Sequence, residues 1–337
     1  MSKSRRVAIC GAGAWGTAMA LHLARQGCEV TLAPRRQEQV LAIRESRENE
    51  SYLPGYALPD EIQVTMLEEN VLQGVSAVFL ASPSYALKEW LENIEALNLS
   101  GEKRLFVSLA KGLELDTLET PCQMIAEALP GVMVASLSGP TFAGEVAEGK
   151  PAAMTLGCES EDPLVSQIQE ALSGSSMRIY LSDDLNGVEL GGCLKNVYAI
   201  AAGCCQGLAL GDNALAALLT RALAEMVRVG VALGARMETF YGLSGFGDLV
   251  ATCHGEWSRN RTFGETIARG VSAREVISSQ RTAVEGYRTS RSFHEMLRQK
   301  GIEAPILEQV YRVLYEDKTP IAALDDLMRR DLKRETD

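Results

Sequence analysis

What the chain lacks narrows its role first. It has no excess of positive charge: 33 lysines and arginines stand against 44 aspartates and glutamates, for a net charge of -11. Nonspecific nucleic-acid binding draws on a basic footprint that displaces counterions from phosphate, so no nucleic-acid partner is expected. A diffuse negative surface does not exclude a small anionic substrate. Charges are screened over about 8 Å at physiological salt, so two or three cations in a cleft outweigh it. No long hydrophobic run is present either. The longest nearly uncharged stretch, Asn196 to Gly211, is short and glycine-rich, and the N-terminus carries no apolar signal core. No membrane insertion is expected, and a cytoplasmic location is the default.

Metal ligands are also scarce. The eight cysteines contain no Cys-x-x-Cys pair and fit neither a disulfide framework nor a zinc site, so they read as reduced core thiols, the adjacent Cys204 and Cys205 included. The three histidines, His22, His254 and His294, are isolated and read as surface or packing residues. No metal is expected.

What is present is ordinary in bulk, 46% hydrophobic and 23% charged, in 337 residues, a length that favours two domains. In the first half, short apolar runs alternate with helical patterns. The strand candidates are Arg6 to Cys10, Glu29 to Ala33, Ser76 to Ala81, Leu105 to Leu109, Val132 to Leu137, Ala152 to Leu156 and Arg178 to Leu181. Helical patterns fall at Thr17 to Gln26, Gln37 to Arg47, Ala86 to Ile94 and Thr120 to Ala128. This alternation predicts an α/β domain, a mostly parallel sheet with helices on both faces, over residues 1–184. From about Asp184 onward no convincing strand remains, and Ala/Leu/Gly-rich helical periods predict an all-α domain over residues 185–337. No flexible linker separates the two, so a cleft between them is the expected ligand site.

The first strand runs into "GAGAWG", placing Gly11, Gly13 and Gly16 between a strand and a helix. In that context the spacing suits a dinucleotide: Gly11 for the sharp turn, Gly13 for backbone approach to a pyrophosphate, Gly16 for helix–strand packing. The pyrophosphate would sit on the helix N-terminus. Roughly 20 residues on, where an NAD enzyme usually carries an acidic residue, stand Arg35 and Arg36, which favour a 2′-phosphate and hence NADP(H). A solvated helix start in "RRQEQ" is the competing reading.

Chemistry concentrates downstream. In "NGVELGGCLKNVYAIAAG", Gly191 and Gly192 each cost a helix about 1 kcal/mol relative to Ala. They leave room for a ligand or another backbone beside Lys195. A desolvated lysine near a second cation has a lowered pKa and can exchange a proton near neutral pH; the bland alternative is a lysine snorkelling at a helix edge. Lys111, just past a strand end, sits where ligands of open parallel sheets bind, and its pairing with Lys195 raises its interest. "SGPTFAGEVAEGKP" offers hydroxyl and amide donors but is ordinary turn chemistry as well. "GLSGFGDLVATCHGEWSRNRTFG" leads through Asp248 to Ser258, Arg259, Asn260 and Arg261, a cluster able to hold a phosphate or simply to form a solvated loop.

Together, "GAGAWGTA", "NESYLPG", "AKGLE", "SGPTFAGEVAEGKP", "GVELGGCLKNVYAIAAG", "GDNALAALLTRALAEM", "GLSGFGDLVATC", "SRNRTFG" and "VEGYRT" closely resemble the bacterial NAD(P)-dependent glycerol-3-phosphate dehydrogenases, over nearly the whole chain and in the family's order. The resemblance implies reversible hydride transfer between NAD(P)H and dihydroxyacetone phosphate, giving sn-glycerol 3-phosphate for phospholipid synthesis. It implies Lys195 as the general acid/base, with Lys111, Gly139, Thr141, Asp248, Ser258, Arg259 and Asn260 at the substrate. Gly11, Gly13, Ala14, Trp15, Gly16, Arg35, Arg36, Tyr52, Ala143, Ala283 and Glu285 fall at cofactor positions, shared by Lys111 and Arg259. A homodimer is expected by the same likeness. Ala14 replaces a common Ser, "ASPS" at Ala81 to Ser84 replaces a usual Val-Pro-Ser/Thr, and Ala283 replaces a common Val. These departures bear on affinity and cofactor preference. Two alternatives are kept: a beta-hydroxyacid dehydrogenase of the 6-phosphogluconate type, which typically spaces Lys-x-x-x-Asn where Asn196 here follows Lys195 directly, and a non-catalytic NADP(H) sensor.

Overall fold

In a computed structural model, residues 5–97, 99, 102–279, 284–332, 334 and 335 are described. The apolar runs of the first half become ten strands: β1 (Arg6–Cys10), β2 (Glu29–Ala33), β3 (Glu48–Asn49), β4 (Leu53–Ala57), β5 (Ile62–Val64), β6 (Ala77–Leu80), β7 (Leu105–Ser108), β8 (Met133–Ser138), β9 (Ala152–Gly157) and β10 (Met177–Ser182). Between them lie α1 (Ala14–Arg25), α2 (Gln37–Ser46), α3 (Glu69–Leu72), α4 (Ser84–Glu95), α5 (Pro121–Ala128), α6 (Ala143–Glu148) and α7 (Pro163–Leu172). Eight strands form one sheet in the order β10-β9-β8-β7-β6-β1-β2-β5, while β3 and β4 form a separate hairpin. The order reverses between β1 and β6, which opens the crevice where such sheets take ligands.

The strands read as unbroken apolar runs because both faces of the sheet are covered. Val7 and Ile9 of β1 enter one core while Ala8 and Cys10 enter the other; Ala77 and Phe79 of β6 divide from Val78 and Leu80 in the same way. The seven expected strands are all present. The sheet is mostly parallel, as expected, and the exception is that β9 runs antiparallel to β8, pairing Ser136 with Gly157 and Ser138 with Thr155. The β8–β9 connection carries only the six-residue α6, and the chain turns back at the end where it left.

The residues after β10 are helical, as expected: α8 (Leu185–Gly207), α9 (Asp212–Ala232), α10 (Met237–Phe240), α11 (Asp248–His254), α12 (Arg259–Ala268), α13 (Ala273–Ser279), α14 (Glu285–Lys300), α15 (Pro305–Tyr315) and α16 (Pro320–Met328). A π-helical turn, Leu243–Gly247, leads into α11. α8 is buried almost all round at the centre of a third core, consistent with its apolar, small-residue surface. Its first turn is fixed by Asp184, which accepts from Gly187 N at 3.0 Å, Arg236 N at 2.9 Å and Thr239 Oγ1 at 2.6 Å. No described helix is long and apolar enough to cross a membrane.

Candidate active site

At the crevice between β1 and β6, each glycine of the first turn has a separate geometric reason. Gly11 has φ +110, and a Cβ there would lie 2.4 Å from the Ala81 carbonyl oxygen. A Cβ on Gly16 would lie 2.0 Å from Gly11 O, so α1 cannot pack on this turn with any larger residue. Gly13, the N-cap of α1, faces open space. Ala14 and Trp15 follow in the first turn of α1, half-buried against the first core. Asn49 braces the turn from the β3–β4 hairpin, donating from Nδ2 to Ala12 O at 2.9 Å and Thr17 Oγ1 at 2.7 Å. Tyr52, at the exposed tip of that hairpin, is tied to it through its backbone N–H on Asn49 O. The Ser82 hydroxyl, just beyond β6, is buried without a partner beside the turn. An open cradle over Gly13, a helix N-terminus behind it and an orphan hydroxyl alongside fit a dinucleotide diphosphate. Arg35 and Arg36 stand exposed at the end of β2, Arg35 paired with Glu89 at 3.0 Å. Ala143 opens α6, which packs on α1. Ala283 lies outside the described residues.

A second group converges from four elements. Lys111 follows β7, Gly139 and Thr141 follow β8, Lys195 lies mid-α8, and Asp248 opens α11. Asp248 binds both lysines, Oδ1 accepting from Lys195 Nζ at 2.9 Å and Oδ2 from Lys111 Nζ at 2.5 Å. Lys195 also donates to Thr252 Oγ1 at 2.7 Å, and Lys111 to Gly139 O at 3.3 Å. Gly139 has φ +149 and no room for a Cβ against Met154, so β8 ends in a turn that aims its carbonyl at Lys111. The two helix glycines divide their work. Gly191 meets the backbone of the π-helical turn, where a Cβ would lie 2.7 Å from Ser244 O, and Gly192 clears the space beside Ser138 and Lys111. Burial drives the Lys195 ammonium down to about 8, against the opposing charge of Asp248 and with that of Lys111. Burial by itself would raise Asp248; the two ammoniums outweigh it and hold the carboxyl below its usual range.

The third group lies at α12 and α14. Ser258 caps α12 by accepting from Arg261 N at 3.3 Å, and Arg259 stands exposed in the first turn. Arg261 turns away from its neighbour: it binds Gln206 at 2.6 Å, Glu265 at 3.2 Å and Gly255 O at 3.1 Å, so the second guanidinium of "SRNR" is structural. Asn260 is buried and bonds to Asn196 Oδ1 and Gly286 N. Glu285, at the start of α14, accepts from Ser84 Oγ at 3.2 Å. Its carboxyl is raised by burial, which outweighs the Ser84 bond and the nearby charges of Arg259 and Arg288. Sequence reading missed Asn49, Thr252 and Ser84 as site residues and quoted Asn196 without a role. Thr252 had one readable signal, its place one helical turn beyond Asp248.

Comparison with known proteins decides the family. The model for the NAD-dependent glycerol-3-phosphate dehydrogenase N-terminus matches residues 6–163, and that for the C-terminus matches residues 184–325. The chain belongs to this family. Among curated members, a glycerol-3-phosphate dehydrogenase [NAD(P)+] of Citrifermentans bemidjiense is 42% identical over 335 residues, 98% of this chain and 99% of that protein. One from Streptomyces griseus is 40% identical over 341 residues, 99% of each. A crystal structure of the glycerol-3-phosphate dehydrogenase from Coxiella burnetii superposes with a TM-score of 0.91 at 37% identity, covering 97% of this chain and 99% of that one. With both halves matched to this family, the beta-hydroxyacid alternative is set aside. Among the described residues no His/Cys/Asp/Glu group could hold a metal ion, seven of the eight free cysteines are buried and Cys204 is half-buried. His22 is a packing residue bonded to Leu172 O at 2.7 Å, His254 is exposed, and His294 stacks on Tyr311 and pairs with Glu308.

Proposed function

We propose that the two lysines and Asp248 form the reaction centre for reversible reduction of dihydroxyacetone phosphate to sn-glycerol 3-phosphate. As a family member the chain is an NAD(P)-dependent oxidoreductase, a glycerol-3-phosphate dehydrogenase. The observation that carries the residue assignment is the buried Lys111–Asp248–Lys195 bridge at the mouth of the sheet. Its net charge is one positive unit, which suits an anionic substrate.

In this reading the protonated Lys195 gives its proton to the carbonyl oxygen while a hydride reaches the carbon, leaving an alcohol and a neutral amine; oxidation runs the same transfers backward. A bound nicotinamide supplies or accepts that hydride. Asp248 aims both ammoniums and keeps Lys195 from losing its proton too easily, Thr252 fixes the Nζ rotamer, and Lys111 polarises the substrate oxygens. Gly139, Thr141 and Ser258 border the substrate, and Arg259 with the first-turn amides of α12 takes its phosphate. The glycine turn with Ala14 and Trp15, together with Tyr52, Ala143 and Glu285, borders the cofactor. Arg35 and Arg36 take a 2′-phosphate, giving a preference for NADP(H) over NAD(H). No metal is required, because lysine performs the proton transfer.

The division we assign is residues 1–184 for the dinucleotide and 185–337 for the substrate, supported by the end of the last strand at Ser182 and the helix cap at Asp184. A homodimer, a cytoplasmic location and supply of glycerol 3-phosphate to phospholipid synthesis complete the proposal. The test is oxidation of NADPH with dihydroxyacetone phosphate beside other phosphorylated and carboxylated carbonyls. Preference for dihydroxyacetone phosphate supports the reading. A folded preparation that binds NADPH and turns over none of them would be a sensor and would overturn it.

A further inference from the structure

Two backbone bonds flank the centre of the glycine turn. Gly11 N donates to Ala33 O at 2.8 Å, and Thr17 N donates to Gly13 O at 3.0 Å as α1 begins. Between them, the Ala12 carbonyl accepts from two side-chain amides. Asn49 Nδ2 reaches it at 2.9 Å from the β3–β4 hairpin, and Gln39 Nε2 at 2.7 Å from the first turn of α2. A carbonyl can only accept and carries two lone pairs, so both amides present nitrogen and both pairs are used. Asn49, 1% exposed, gives its other amide proton to Thr17 Oγ1 at 2.7 Å, and so ties the turn to α1. Its own place is secured: Asn49 O accepts from Tyr52 N at 3.1 Å, and Arg47 at the base of the hairpin donates to Ile62 O of β5 at 3.1 Å. Gln39 belongs to "RRQEQ", three residues beyond Arg36, and is half-buried, so one residue of that polar stretch is turned inward.

Glycine at position 13 leaves the backbone free in φ, and no side chain of its own fixes the peptide before it. In a trans peptide, as here, the Ala12 carbonyl and the Gly13 N–H point opposite ways. Pinning the carbonyl toward Asn49 and Gln39 turns the Gly13 N–H away from both and sets the direction in which the unpaired first-turn amides of α1 begin. We infer that Gln39 and Asn49 are positioning residues for the cofactor, together holding the Ala12–Gly13 peptide in the orientation that offers the turn's amides to the diphosphate. This rests on the reading of the glycine turn as the diphosphate site. The diphosphate is common to both nicotinamide cofactors, so the pair serves NADH and NADPH alike.

The experiment uses full-length Asn49→Ala, Gln39→Ala and the double variant, titrated with NADPH, NADH and adenosine 2′-monophosphate, which carries the 2′-phosphate but no diphosphate. Asn49→Ala should weaken NADPH and NADH by about tenfold each and Gln39→Ala by about threefold each, while adenosine 2′-monophosphate binds as in the parent. The double should lose more than the product of the singles, about a hundredfold, because either amide alone still holds the carbonyl. NADPH affinity in the double within about twofold of the parent would overturn the inference, as would a parallel loss of adenosine 2′-monophosphate, the mark of a general loss of structure. A change of more than about threefold in the ratio of NADPH to NADH affinity would place the pair at the 2′-phosphate and also overturn it. The NMR resonance of the Gly13 amide nitrogen in the cofactor-free protein separates these outcomes from failure of the functional reading. A bond accepted by a carbonyl polarises the whole peptide group, so loss of either donor should shift that nitrogen whatever the cofactor. A parent that binds no nicotinamide cofactor refutes the functional reading; an unmoved Gly13 nitrogen in the double refutes the brace. Where Asn49→Ala does not fold, Gln39→Ala at its half-buried position carries the test, and parental affinity or an unmoved Gly13 nitrogen in it overturns the inference.

Discussion

The ammonium of Lys195 is buried at 8% exposure against a carboxylate that is more buried still, and this balance sets when it can hold a proton. In the proposed role the charged form is the acid in reduction, so kcat/KM for ketone reduction should be flat below about pH 8 and fall above it. Oxidation of the alcohol, which needs the neutral amine, should rise toward the same pH and level off. Asp248→Asn removes the charge that opposes burial, so the breakpoint should move down; pH–rate profiles of the two proteins measure the shift, and an unmoved breakpoint would contradict the role given to Asp248. At this scale Lys195 and Lys111 were legible because a lysine among small apolar residues, or at a strand end, is out of place. The fate of Arg261 was not. It stands two positions along the helix from Arg259, a step that turns it toward Gln206 and Glu265, a matter of phase that the cluster "SRNR" does not display.

In the second half a buried carboxylate ties three helices together. Glu225 on α9 accepts from Ile306 N and Leu307 N, both at 2.9 Å, at the start of α15, and from Tyr198 OH of α8 at 3.2 Å. Its carboxyl is raised by burial, which outweighs the hydrogen bonds and Arg228. Glu225→Ala leaves three buried donors without a partner and should cost about 3 kcal/mol or more, at about 1–3 kcal/mol per orphaned group, read as a lower urea midpoint at unchanged m-value. In the first half, Gly16→Ala should abolish NADPH binding, because its Cβ would sit 2.0 Å from Gly11 O and push the turn open; binding titration against the parent checks this. Seven of the eight sheet strands were legible to within a residue or two, since doubly covered strands are apolar throughout. The β3–β4 hairpin, β5, α3, α6 and α7 were not. They are short or, as in Leu53–Ala57, interrupted by Pro and Gly at exposed positions, and the hairpin is held by Asn49 bonding to the glycine turn more than by local preference. α1 begins at Ala14, earlier than the expected Thr17, because Gly16 inside its first turn disguises the start.

Across the whole molecule, the sheet and the helical half meet along the cleft. Ser84 reaches Glu285, and the Arg288 guanidinium lies over the Tyr85 ring at 4.5 Å, so the first turn of α4 is joined to the first turn of α14 beside the proposed cofactor site. Any ligand that binds the folded chain alone adds stability, about 2.7 kcal/mol at a hundred times its Kd. NADPH should therefore raise the Tm, and in Arg35→Ala with Arg36→Ala that rise should shrink for NADPH more than for NADH at equal concentration. Equal shrinkage would favour the solvated reading of "RRQEQ". The exposed Arg35–Glu89 pair is the kind that breaks readily, leaving the guanidinium available.

The sequence by itself determined the strand–glycine–helix turn, the change from α/β to all-α near Asp184, and the lysines that carry charge into small-residue surroundings. Each is a local pattern, written in periodicity or in a residue type that its neighbours do not explain. Tertiary structure alone decided that Asp248 spans Lys111 and Lys195, that Asn260 faces Asn196 and Gly286, and that β9 runs against β8. Those facts depend on elements distant in sequence arriving at one place. Their energies come from burial and directional hydrogen bonds, and these exist only once the cores on either side of the cleft have formed.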